Sequence, residues 1–178
     1  CLCQAGYSGT DPLQPCRPCE VGFWKDSWAD SACTKCPTRR STQRAGSVAR
    51  EDCLCCAGSE DSVQLADVCL CSIGYEGEDL ALPCRACGEG AYKHSVGDGL
   101  CSACANFSTT AGRGSTDASQ CVCARGAAPT IGAGCAPCPA GTYKEDIGAD
   151  VCSACPPNSV SAPGGASLTA CTCMPGHG

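Results

Sequence analysis

The cysteines recur at a fixed spacing, and that spacing restricts the fold of this chain more than any other feature. Cys1-x-Cys3 is followed by Cys16-x-x-Cys19, Cys33-x-x-Cys36 and Cys53, with 12, 13 and 16 residues between the groups. A second copy runs Cys69-x-Cys71, Cys84-x-x-Cys87, Cys101-x-x-Cys104 and Cys121 with the same three intervals. A third runs Cys121-x-Cys123, Cys135-x-x-Cys138, Cys152-x-x-Cys155 and Cys171-x-Cys173, with intervals of 11, 13 and 15. Agreement to within one residue over three copies marks tandem structural units. The copies share boundary cysteines, and no Pro-rich or Gly/Ser-rich linker separates them. The predicted organisation is repeat 1 over residues 1–53, an acidic inserted loop over 54–70, repeat 2 over 71–121 and repeat 3 over 122–173, with residues 174–178 opening a further repeat or ending a fragment. Units that touch only their neighbours predict an elongated rod.

Composition says what must hold such units. Of 178 residues, 23 are Cys and only 22 are Leu, Ile, Val or Phe. The large apolar residues fall well below the ~20% under which chains stay disordered unless something else holds them. A single apolar core is excluded, and covalent or metal staples must replace it. No apolar run approaches the ~18 residues of a membrane span, so no membrane insertion is expected in this segment. The net charge of −6 argues against nucleic acid. Charge is segregated, with Lys35, Arg39, Arg40, Arg44 and Arg50 preceding a run of eight acids, from Glu51 to Asp79. Contact between these patches on neighbouring subunits is one expected mode of association.

Residues between the cysteines repeat as well. Gly6, Gly74, Gly126 and Gly176 each follow a C-x-C pair. They read as turns with positive φ. Trp24, Tyr92 and Tyr143 share one slot and are read as plates over a neighbouring disulfide, not as ligand contacts. Lys25, Lys93 and Lys144 follow them and are read as solvated ends whose stems lie on the rings. No useful helical periodicity exists, so short hairpins and loops are expected.

Two chemistries compete for the cysteines. Paired C-x-x-C groups occur in four-Cys zinc sites. Zinc leaves the C-x-C pairs unexplained, however, and comes here without His ligands or a basic recognition surface. A thioredoxin-like role needs a βαβ setting that is absent. A disulfide framework in an oxidising, extracellular or cell-surface compartment accounts for all the groups.

The run CPAGTYKEDIGADVCSACPPNSVSAPGGASLTACTC resembles the cysteine-rich, ephrin-receptor-like repeats found beside the EGF-like region of ephrin receptors. These modules are related to EGF-like and laminin-type EGF units and, more distantly, to tumour-necrosis-factor-receptor modules. The resemblance covers all three copies and implies a small disulfide-rich fold of tandem repeats with short β-hairpins and little regular secondary structure. It implies the pairs Cys3–Cys16, Cys19–Cys33, Cys36–Cys53, Cys71–Cys84, Cys87–Cys101, Cys104–Cys121, Cys123–Cys135, Cys138–Cys152 and Cys155–Cys171. By the same rule, Cys1 and Cys173 reach past the two ends. Cys56–Cys69 has the spacing of the shorter loops, which leaves Cys55 free or bridging another chain. If the pair is Cys55–Cys69, Cys56 takes that place. Glu20 in the slot of Pro139, and the missing GY-x-G turn of the third copy, bear on loop shape and not on pairing.

No catalytic constellation is present in the sequence. His94 and His177 lack patterned partners, and no enzyme activity, cofactor or metal is expected. Glu51, Asp52 and Asp67 read as solvated surface, not as a calcium signature. Asn106-Phe107-Ser108 is a glycosylation sequon. Ser41, Thr42, Ser108, Thr109, Thr110, Ser159 and Ser161 offer O-linked sites. The resemblance implies an extracellular structural glycoprotein, a subunit of a fibril, filament or surface coat like those of mastigonemes. Its partners are then copies of itself, other repeat proteins in a fibre, and glycans. The alternative is the ectodomain of a receptor or adhesion protein that binds a protein ligand. An intracellular zinc-binding protein is the third and weakest reading. A thiol count under denaturing, non-reducing conditions separates zinc from disulfides: few thiols are expected, and reaction of most of the cysteines excludes the disulfide framework.

Overall fold

The computed structural model describes residues 2–9, 14–79, 82–132 and 134–176. Cys1 and His177 lie outside the described residues. Among those described there is no α-helix. Three single 3₁₀ turns occur, at Arg50–Asp52, Ala118–Gln120 and Leu168–Ala170. The rest of the regular structure is ten two-stranded sheets, each a hairpin of consecutive strands. Phe23–Trp24 pairs antiparallel with Thr34–Lys35 in the second loop of repeat 1, for example. Ala91–Tyr92 with Ser102–Ala103 and Thr142–Tyr143 with Ser153–Ala154 repeat that arrangement. Hairpins this short are not stable alone in water. Each one therefore coincides with one disulfide-closed loop.

Apolar burial confirms that staples replace a core. Among the described residues, the buried apolar set is ten cysteines and Ala127. Trp28, Val63, Leu65, Leu100 and Val151 are all exposed. Closing a loop of about 15 residues lowers the entropy of the unfolded chain by roughly 3 kcal/mol, without strict additivity.

One backbone rule runs through the loops. The third residue after each loop-opening cysteine has positive φ. In first and second loops it is glycine, and in third loops it is Arg39, Phe107 or Asn158. Gly6 shows why glycine is needed at the first loops. Its φ is +79°, and a Cβ would run into the carbonyl oxygen of Gly46. Gly74 meets Gly114, and Gly126 meets Gly164, in the same way. First and third loops of a repeat thus touch backbone to backbone.

The chain forms two compact units that cut across the sequence repeat. Unit 1 comprises Cys1–Ser72, Glu76–Arg85 and Val96–Gly99; unit 2 comprises Ile73–Tyr75, Ala86–Ser95 and Leu100–Gly178. Inside each unit, the recurring lysines correct the sequence reading. Lys25, Lys93 and Lys144 are buried, with 3%, 7% and 4% exposure, and are not solvated ends. Lys25 Nζ donates to the carbonyls of Tyr7 and Ala29. Lys93 Nζ donates to Tyr75 at 2.9 Å. Lys144 Nζ donates to Ala127 at 3.0 Å and Gly148 at 2.8 Å. The same residues join the loops through their backbones. Lys144 N donates to Gly165 O, and Gly126 N donates to Lys144 O. Hairpins of two-residue strands leave inward carbonyls without ladder partners, and an ammonium carries enough donors to satisfy several. Each lysine is therefore the hub where three loops meet.

The hydroxyls of the third loops are a second correction. Thr42, Thr110 and Ser161 are buried and are not open to O-linked sugar. Thr42 accepts from Gly22 N and Thr110 from Gly90 N, each at 3.0 Å. Ser161 donates to Thr142 O at 2.7 Å. Each ties a third loop to the second loop of its repeat.

Lys144→Met keeps the apolar stem and removes the ammonium. It orphans the carbonyls of Ala127 and Gly148, at about 1–3 kcal/mol for each buried acceptor left unpaired. A clear drop in thermal midpoint of the oxidised protein is expected by calorimetry, and an unchanged midpoint would show that the hub contributes nothing.

Candidate functional site: the buried arginine and the Cys56 cleft

The most elaborate polar cluster lies in unit 1, around Arg39. This residue opens the third loop of repeat 1 with φ of 57°, and its side chain is fully buried. Nε donates to Leu82 O at 3.0 Å, and Nη2 donates to Asp79 O at 3.1 Å and more distantly to Gly77 O at 3.5 Å. Nη1 forms an ion pair with Asp98, whose side chain is 27% exposed. Gly77 and Gly99 exchange backbone hydrogen bonds beside it. A Cβ on Gly77 would lie 3.2 Å from Arg39 Nη2, so a small residue leaves room for the guanidinium. A desolvated guanidinium persists where its donors are matched by a carboxylate and by carbonyl dipoles. Both are present here.

The neighbouring charges pair within the unit as well. Arg40 binds Asp61 and donates to Cys53 O at 3.0 Å. Arg50 binds Asp67 at 2.7 Å. Arg40 and Arg50 of the basic run therefore pair with Asp61 and Asp67 of the acidic run inside one chain. Arg39, Arg40 and Arg50, which the sequence offers to neighbouring subunits, thus each have an acid within their own chain. Loops closed by disulfides hold the partners close, so pairing within the chain carries little entropy cost. Asp52 is exposed, as its sequence reading expects, and also has a local role. Its carboxylate accepts from Val48 N and Ala49 N, both at 3.2 Å, and holds the 3₁₀ turn.

The cysteine pairing carries one correction. Nine of the ten disulfides are the pairs implied by the family resemblance. The tenth is Cys55–Cys69, not Cys56–Cys69, and Cys56 is the thiol. The reason is register. Cys53-x-Cys55 is itself a C-x-C pair, equivalent to Cys121-x-Cys123, and sequence reasoning overlooked it. Cys55 therefore opens a first-type loop, with Gly58 (φ of 78°) three residues on, as Gly74 follows Cys71. Pairing Cys56 would shift that turn by one residue. Cys173 is also a thiol and is exposed.

Cys56 is half-buried in a cleft of about 490 Å³ lined also by Lys35, Pro37, Thr38, Arg40 and Pro83. Its amide donates to Arg39 O at 2.8 Å, so the arginine anchors the cleft wall. Asp61 lies near Cys55 and Cys69, but their sulfurs are bonded to each other and offer no thiolate to a metal. Trp24, Tyr92 and Tyr143 are half-buried in second-loop strands and bridge in parallel to Ser47, Ser115 and Gly165 of the third loops. Asn106 is exposed in a turn of unit 2. No helix among the described residues is long and apolar enough to cross a membrane.

Known proteins agree with this architecture. Residues 6–53, 74–121 and 128–171 match the family described as tyrosine-protein kinase ephrin type A/B receptor-like. The chain belongs to the ephrin-receptor-like repeat family. It is 31% identical over 161 residues, 84% of its length, to cysteine repeat modular protein A of Toxoplasma gondii, of which it spans 5%. It is 44% identical over 52 residues to ephrin type-B receptor 1 of Gallus gallus, matching 29% of this chain and 5% of that protein. Similarity to a sushi, von Willebrand factor type A, EGF and pentraxin domain-containing protein of Rattus norvegicus is 35% over 74 residues, 40% of this chain and 2% of that protein. This chain thus spans only a small part of the length of each relative. They are disulfide-rich repeats of the extracellular type.

Arg39→Ala removes the guanidinium and leaves Asp98 and three carbonyls without it. Breaking a buried pair in this way costs about 3–5 kcal/mol. Hydrogen exchange is expected to speed up at the Gly77, Gly97 and Gly99 amides while those around Lys144 keep their protection. Uniform change across both regions would show that Arg39 does not act locally.

Proposed function

We propose that this chain is an extracellular structural segment, part of a fibril, filament or surface coat of the mastigoneme type, and that it bears tension. The observation that supports this reading is the serial order of the disulfides. Every loop is closed between cysteines 12 to 17 residues apart, and no two loops overlap. Only one or two residues separate consecutive loops. A pulled chain of this design can lengthen only through those short links until a covalent bond breaks. A core held by apolar burial has no such stop. Copies of the chain, other repeat proteins of a fibre, and glycans are the partners this reading requires. It requires no catalysis and no cofactor.

The receptor or adhesion reading keeps one observation in its favour, the similarity to part of an ephrin receptor. Immunogold labelling of native material with an antibody to this chain discriminates the two. Label along filaments supports the structural reading, and label confined to the plasma membrane supports the receptor.

Pulling the full chain in a single-molecule force instrument tests the mechanical claim. Without reductant, only short extensions are expected. With reductant, each opened loop releases about 40–60 Å, from ~3.4 Å per extended residue. Equal extension with and without reductant would remove the basis of the reading.

A further inference from the structure

We propose that Asn106 carries an N-linked oligosaccharide, an assignment that rests on the extracellular reading above. The chain has two asparagines, and only Asn106 stands in a sequon, with Ser108 two residues on. Asn158, at the αL position of the last third loop, is followed by Ser159-Val160 and has no hydroxyl at the required place.

The fold presents Asn106 for modification. It lies in the turn that starts the Cys104–Cys121 loop, where Ser108 N donates to Ala105 O at 3.0 Å. Asn106 is exposed, and among the described residues no protein group binds its side-chain amide. Phe107 follows with φ of 60°. A bulky residue pays for that conformation, and the equivalent slot holds Asn158 in repeat 3. The Phe107 ring is 53% exposed and adjoins the asparagine, so a sugar there covers an apolar surface that is otherwise left in water. Ser108 is half-buried at the start of the strand Ser108–Thr110, paired with Cys121–Cys123. Thr38 and Pro157 occupy the slot of Asn106 in the other two repeats, so the sugar marks one repeat in three.

The co-reactant is a lipid-pyrophosphate-linked oligosaccharide. Asn106 Nδ2 loses a proton and bonds to the anomeric carbon of the first sugar. The C–O bond from that carbon to the pyrophosphate breaks, and the lipid pyrophosphate leaves with the electron pair. No oxidant or reductant is consumed.

The test is secretion of the full chain from a eukaryotic host, followed by peptide mapping before and after peptide N-glycosidase treatment. A glycosylated Asn106 peptide is expected, together with a gel shift that the glycosidase removes. Asn106→Gln and Ser108→Ala should each abolish the shift, and Ser108→Thr should retain it. A secreted chain with oxidised cysteines and a bare Asn106 peptide overturns the proposal and leaves the extracellular reading standing. Cysteines that stay open to alkylation in the secreted chain overturn that reading, and the proposal with it.

Discussion

Ten disulfides, each closing one hairpin before the next begins, set the terms for everything else in this protein. The entropy that an ordinary domain offsets by burying aliphatic side chains is here removed from the unfolded chain in small covalent steps. Because each loop is short, its hairpin can be too. Because the hairpins are short, their backbones retain carbonyls that no ladder satisfies. The interior is therefore an interior of sulfur and peptide groups, and the residues buried in it are there to match them: Lys25, Lys93, Lys144 and Arg39 donate to carbonyls, while Thr42 and Thr110 accept from amides.

The repeated lysine answers that need in each repeat, at the point where three loops converge. The arginine answers it once, in unit 1, where residues 77, 79 and 82 supply carbonyls and Asp98 supplies the counter-charge. Around it, Arg40 and Arg50 find acids from the inserted loop. Part of the segregated charge, which in the sequence looks like two opposed surfaces, is paired within the chain at its surface. The pairing of Arg39 in unit 1 and carbonyl capture in both units are two uses of the same physics: a polar group in a small, water-poor interior must be matched.

Much of this could be read from the sequence. The three-loop repeat, the absence of an apolar core and the glycine turns follow from composition and from the positions of Cys and Gly, and nine of the pairs follow from the resemblance to ephrin-receptor-like repeats. The tenth pair was legible too, because Cys53-x-Cys55 repeats a pattern seen four times elsewhere, although the Cys55-Cys56 doublet offers a second register beside it. The burial of the lysines was not legible, since a Lys after an aromatic ring looks the same whether its ammonium faces water or a ring of carbonyls. Nor were the roles of Thr42, Thr110 and Ser161, whose small polar loops resemble open surface.

What the sequence by itself determined is the three-loop repeat and, through the family that the repeat resembles, most of the covalent plan, because the cysteine intervals recur along the chain. What only the tertiary structure decided is which polar side chains turn inward. That choice depends on where unpaired carbonyls gather when loops distant in sequence meet, as residues 39, 77, 82 and 98 do around one guanidinium.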